Sequence, residues 1–199
     1  MLVIACGALA HELMAVIRAS GWPHMSVQCL PADLHNRSER ITEAVREKIR
    51  AARSGFARVF VAYGDCGTGG ALDRMLDEEG VERIAGAHCY EFLAGSRVFE
   101  RLSDQEPGTF YLTDFLLRHF ERLVIRGLGI DRHPHLADQY FGNYRRLVYL
   151  AQQPDAERLV AARAAAGRLG LAFELRHTGL TQLARALVFA NRETVQWAG

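Results

Sequence analysis

No apolar run in the chain approaches the roughly 20 residues that a membrane-spanning helix requires. Met1 leads straight into a strand-like segment, without the basic and apolar regions of a signal peptide. Neither a membrane partner nor secretion is expected from this, and the expected location is the cytoplasm. A surplus of one charge is also missing: 24 Lys and Arg stand against 23 Asp and Glu, for a formal net charge of +1. Nucleic acid or a membrane surface would want a basic excess, so neither partner is expected. Cysteine is sparse, with four residues and no CxxC pair. In a reducing compartment such thiols serve metals or catalysis more often than disulfides. Low-complexity segments, linkers and short-period repeats are absent as well, which leaves a single α/β domain over residues 1–199 as the expected organisation.

What is present is an alternation of strand and helix patterns. Leu2 to Ala5 reads as a short buried strand, followed by a helical spacing of apolar residues over Ala8 to Ser20 and a Gly21 stop. Met25 to Leu30 is a second strand. Ile41, Val45 and Ile49 stand four apart within an amphipathic helix over Arg37 to Arg53. A β-branched and aromatic run from Val59 that ends at the glycine-rich loop is a third strand, with a helix from Ala71 to Glu79, and Arg83 to His88 reads as a fourth strand. Thr109 to Leu112 and a long helix to Arg126 follow, then strand, helix and strand over Arg146 to Gln152, Asp155 to Leu169 and Leu171 to Arg176. A last helix spans Thr181 to Asn191. Such alternation predicts an α/β fold: a mostly parallel sheet with helices on both faces, in a Rossmann-like three-layer arrangement.

The sequence centres on Tyr63-Gly64-Asp65-Cys66-Gly67-Thr68-Gly69-Gly70, where the third strand breaks into a glycine-rich loop ahead of a helix. Ligands in α/β folds bind outside the carboxyl ends of the strands. Cys66 lies there, and Cys6 and Cys89 end the first and fourth strand patterns in the same way, whereas Cys29 lies within the second strand. Three thiols at three strand ends predict a shared metal site of Cys6, Cys66 and Cys89. Sulfurs around one zinc ion stand about 3.8 Å apart, while neighbouring strands are about 4.8 Å apart. That spread favours a four-iron [4Fe-4S] cluster with one open iron over zinc with an open fourth position.

Around these thiols, Asp65 and Glu91 are the candidate proton-handling groups, and His88 reads as a filled strand-end position. The loop lacks a P-loop lysine and does not match GxGxxG, which argues against a nucleotide. Gly67, Thr68, Gly69 and Gly70 are instead expected to receive an anionic or carbonyl part of a small-molecule substrate. His35 and Asn36 join the same rim if the strand order places them there, and His133 and His135 are open in the same sense. Asp131-Arg132-His133-Pro134-His135 approaches the DxHxxG corrinoid pattern, but Leu136 stands where glycine is needed, so a corrinoid is not expected. Tyr111, Asp114, Tyr140, Asn143 and Tyr144 read as packing residues. Two other functions fit the same residues. Cys66 can act as a metal-free nucleophile with His88 or His133 as base. The protein can also be a non-enzymatic metal- or cofactor-handling accessory.

AlaCysGlyAla at 5–8, LeuHisAsn at 34–36, TyrGlyAspCysGlyThrGlyGly at 63–70, HisCysTyrGlu at 88–91, GluProGlyThrPheTyrLeuThrAsp at 106–114 and GlyAsnTyrArg at 142–145 together resemble domain-of-unknown-function family sixteen thirty-eight. The similarity runs over nearly the whole chain. The resemblance implies an association with methylamine and corrinoid methyltransferase systems, hence one-carbon or methylated-amine metabolism and a methyltransferase-system protein as a partner. Lyase or group-transfer chemistry at an exposed Lewis acid is the activity that accords with it.

Overall fold

The computed structural model describes residues 1–192. Its strands form two sheets, each parallel throughout. The first has the order β2-β1-β3-β4, from β1 (Leu2–Cys6), β2 (Ser26–Leu30), β3 (Val59–Ala62) and β4 (Glu82–Arg83). The second has the order β5-β6-β7, from β5 (Thr109–Thr113), β6 (Arg146–Ala151) and β7 (Ala172–His177). Contacts divide the chain into two compact units, one of residues 1–92 with the segment from Leu180 onward, the other of residues 93–179. The α/β class, the parallel pairing and the three-layer plan of helices on sheet faces are as the alternation of patterns predicts.

In the first unit all five residues of β1 are buried, the mark of a parallel strand covered on both faces. Leu2, Ile4 and Cys6 share one face with Val61 and Tyr63. There they meet Ile41, Val45, Ile49 and Ala52 of α2 (Ile41–Ala52) and Leu72, Met75 and Leu76 of α3 (Ala71–Glu79). Each such side chain contributes about 1.5–3 kcal/mol on burial. Val3 and Ala5 project to the opposite face. On that side α1 (Ala10–Ala19) packs on β2 and on the helix over Thr181–Arg192.

In the second unit Leu147, Tyr149 and Ala151 of β6 pack with Ala162, Ala165 and Ala166 of a helix over Ala156–Arg168, whose N-cap is Asp155. A helix over Ser96–Gln105 lies against the strands too, with Phe99 4.9 Å from the Tyr111 ring.

Two elements differ from their sequence patterns. The fourth strand is two residues long rather than six, because the chain turns at Gly86, whose φ of +144° is open to glycine alone. The helix expected up to Arg126 begins with Thr113 capping Leu116 N–H at 3.2 Å, but closes at Arg118 and resumes as one π-helical stretch over Glu121–Ile125. Among the described residues no helix is long and apolar enough to cross a membrane.

Candidate metal centre

Each strand of the first sheet delivers one piece of the site as it ends. Cys6 closes β1, and its Sγ accepts the Ala8 N–H at 3.4 Å, capping a single 3-10 turn. β2 lies beside β1, so the 3-10 segment that follows it (Ala32–Arg40) carries His35 over the same edge. β3 leads through Tyr63 and Gly64 into Cys66. The peptide N–H groups of Asp65 and Cys66 then donate to the carbonyls of Gly86 (3.1 Å) and Ala87 (2.9 Å). These two bonds extend the pairing past the short β4 and draw His88 and Cys89 onto the loop. Gly64 makes the approach possible: a Cβ there would meet the His88 backbone at 2.9 Å.

The result is a group of His35, Cys66, His88 and Cys89 whose ligand atoms all lie within 4.8 Å of one another. Donors around one tetrahedral zinc ion stand about 3.3–3.8 Å apart. The four donors therefore fit one soft divalent ion once the widest pairs close by about 1 Å. A second feature agrees. His35 Nδ1 donates to the Ala32 carbonyl at 3.1 Å, and the ring also hydrogen-bonds the Cys66 thiol. A ring oriented by a backbone carbonyl and turned towards a thiol is the arrangement of a metal-ligating histidine. Cys6 stands outside the compact group, its Sγ 3.7 Å from His35 Nδ1. Cys66 has a φ of +48°, the only positive value at a non-glycine among the described residues. That conformation costs on the order of 1–3 kcal/mol and collects at functional sites.

Charge is distributed unevenly over these groups. The hydrogen-bonded Cys89 thiol outweighs burial and, with the His35 ring, holds the Cys66 thiol down at about 4. Burial pulls His35 down, but its contacts with Cys6 and Cys66 prevail and raise it to about 10. Cys89 is pushed up by Cys66 and by burial, and burial lowers His88. Without an ion, the site is thus a Cys66 thiolate beside a His35 imidazolium, with Cys89 and His88 neutral.

Of the residues singled out in the sequence, Cys66 and Cys89 belong to the group, and Cys6 flanks it. Asp65 turns its carboxylate into its own loop. It accepts from the Thr68 hydroxyl (2.6 Å), Gly70 N–H (2.8 Å) and Gly69 N–H (3.2 Å), which keeps its carboxyl below the usual range. Those donors at Thr68, Gly69 and Gly70 are consequently occupied by the chain's own carboxylate, not left open for a substrate anion. Gly67 instead faces Ser38, 3.5 Å from an added Cβ. Glu91 accepts the Ala87 N–H at 2.8 Å and braces the turn before His88. His133 and His135 belong to the second unit, where their rings pair at 5.9 Å.

His88, named in the sequence as a filled strand-end position or a base for Cys66, is instead one of the four donors, and two further contributors escaped the sequence reading. Tyr63 sits wholly buried with its ring stacked 6.4 Å from that of His35. Arg83 pairs both nitrogens with Asp73 (2.5 and 2.9 Å) and donates to the carbonyls of Ile84 and Gly86 at 2.8 and 3.1 Å, fixing the loop that carries the second histidine and cysteine.

A family model described as "Protein of unknown function (DUF1638)" matches residues 29–187. No curated protein and no solved structure matches the chain.

Proposed function

The chain belongs to the DUF1638 family of proteins of unknown function, and from that premise we propose that it is a metal-dependent enzyme of small-molecule metabolism. One soft divalent ion, zinc by its donor set, would be held by His35, Cys66, His88 and Cys89. The observation that carries this reading is the compactness of the four donors. In a four-iron cluster each thiolate holds a different iron, and two of these four donors are imidazoles. The single ion is therefore preferred to the cluster that strand spacing alone favours. Such an ion supplies Lewis-acid polarisation of a substrate oxygen. The chain's part is to hold the donors: the Ala32 carbonyl orients His35, and Gly64, Arg83 and Glu91 press the 86–89 turn against Cys66.

Elemental analysis of anaerobically purified full-length protein is the test. One zinc per colourless chain, lost in Cys89→Ser, supports the reading. A brown protein with labile sulfide and absorption near ~400 nm replaces it with the cluster. Metal-free protein leaves a second function, favoured by one specific observation: Cys66 is a thiolate at neutral pH beside a histidine, the make-up of a cysteine nucleophile. The partner in that pair is His35, not the His88 or His133 that the sequence suggests.

A further inference from the structure

We infer that the outer edge of β7 is a self-association surface, which pairs antiparallel with β7 of a second copy of the chain about a two-fold axis at Leu175. Among the described residues no strand lies on the outer side of β7, which ends the order β5-β6-β7. The strand is open to solvent, with Ala172, Leu175, Arg176 and His177 exposed. Its hydrogen bonds fix which backbone groups are free. The N–H groups of Ala172 and Thr178 donate to the carbonyls of Arg145 and Ala151, at 3.1 and 2.9 Å. The even-numbered residues therefore bond towards β6. Successive residues of a strand direct their N–H and C=O to opposite sides, so Phe173, Leu175 and His177 turn theirs outward. An edge presented in this way is a template for another strand.

The side chains of the edge say that the second strand is its own copy. With Leu175 opposite itself, Phe173 falls opposite His177 of the second copy, and each of these outward pairs exchanges two backbone hydrogen bonds. Glu174 then falls opposite Arg176 of the second copy, in the close pairs where cross-strand charges attract. A slip of two residues either way sets Glu174 against Glu174 or Arg176 against Arg176, which repel. Within one chain the two side chains already meet on one face: Glu174 contacts Arg176 at 2.6 Å and Arg146 at 2.7 Å. The dyad extends that cluster with a second carboxylate and a second guanidinium. An apolar patch flanks the edge on the other face, where Leu175 is 37% and Val160 70% exposed. Val160 lies one turn before Arg163, whose guanidinium stands 4.6 Å over the Phe173 ring, so it belongs to the helix flank above the open strand. A second copy covers both.

The test is sedimentation equilibrium of the full chain over a range of concentrations. The mass of the wild type should rise from one chain towards two, and less readily at high salt, which screens the cross-strand pairs. Leu175→Pro removes an N–H that faces outward and not into the sheet, the one place where a strand accepts proline. It should keep the wild-type circular dichroism spectrum and sediment as a monomer. Arg176→Glu sets like charges opposite each other on both sides of the dyad and should weaken association about tenfold. Its side chain is 50% exposed, so this variant decides alone if Leu175→Pro does not fold. A wild type that is monomeric at every concentration leaves the edge to a strand of another protein and overturns the inference. So does an Arg176→Glu protein, or a folded Leu175→Pro protein, that associates as tightly as the wild type. None of these outcomes depends on bound metal, so the metal reading above stands or falls separately.

Discussion

At the carboxyl end of β5, Asp114 is 6% exposed yet fully engaged: it accepts the Tyr149 hydroxyl at 2.7 Å and the Gln152 and Gln153 N–H groups at 3.2 and 2.9 Å. Gln152, where β6 ends, accepts the Asp114 N–H at 3.0 Å and reaches Thr178 beyond β7 at 3.4 Å. The corresponding end of the first sheet carries thiols, imidazoles and a phenol, with Tyr63 and His35 meeting Cys6 and His35 meeting Cys66. Both sheets are parallel and both end in buried polar side chains. One set satisfies itself and knits three strand ends together, as structural polar networks do. The other pairs thiols with imidazoles and a phenol, and so gathers the soft donors that a metal ion takes.

The contrast can be broken from either side. Asp114→Ala strands a buried hydroxyl and two N–H groups, and should cost about 4 kcal/mol of stability in urea unfolding with zinc content unchanged. If metal is lost too, the two strand ends are not independent. Cys89→Ser removes a donor and should lower zinc affinity more than about 100-fold, beyond the 10–100-fold of an outer-shell loss, measured by competition with a chromophoric chelator. An unchanged affinity would place the ion elsewhere. Gly64→Ala drives a Cβ to 2.9 Å from the His88 backbone, and the resulting displacement should weaken zinc binding about tenfold. A variant that binds as the wild type does would show that the approach of the two loops is not needed.

The smallest effect is one of pH and concerns metal-free protein. Iodoacetamide attacks the thiolate, so Cys66, at about 4, should be labelled at pH 6. Cys29, on an exposed strand but with its pKa raised by burial and by Cys6, should label only in alkali. Labelling of Cys29 first would show that exposure outweighs the field around Cys66. The same shifts bound the stability of the metal-free fold. The lowered Cys66 contributes stability that is present above its ordinary value and is lost as pH falls through about 4. The raised His35 contributes stability that is present below its ordinary value and is lost as pH rises through about 10. Thermal midpoints should fall towards both limits.

Much of the fold was legible because its signals are local. Residues 71–79 have in the structure the bounds their periodicity predicts, and Gly80 and Asp155 act as a stop and a cap. The shortening of the fourth strand was not legible, since it depends on Arg83 binding carbonyls that its own turn presents. His35 illustrates the same limit at the site: it lies in a 3-10 segment without periodicity, and it matters only because β2 pairs with β1.

By itself the sequence determined the α/β class, the parallel pairing and the placing of Cys6 and Cys66 where strands end, because each follows from spacing within one segment and from the geometry of parallel strands. Cys89 instead opens a helix six residues past the end of β4. Which donors meet, and how closely, was decided only by tertiary structure. His35, Cys66 and the His88–Cys89 pair stand more than twenty residues apart in sequence. Their separation in space is set by the strand order, by two backbone hydrogen bonds between loops and by a glycine small enough to let the loops touch.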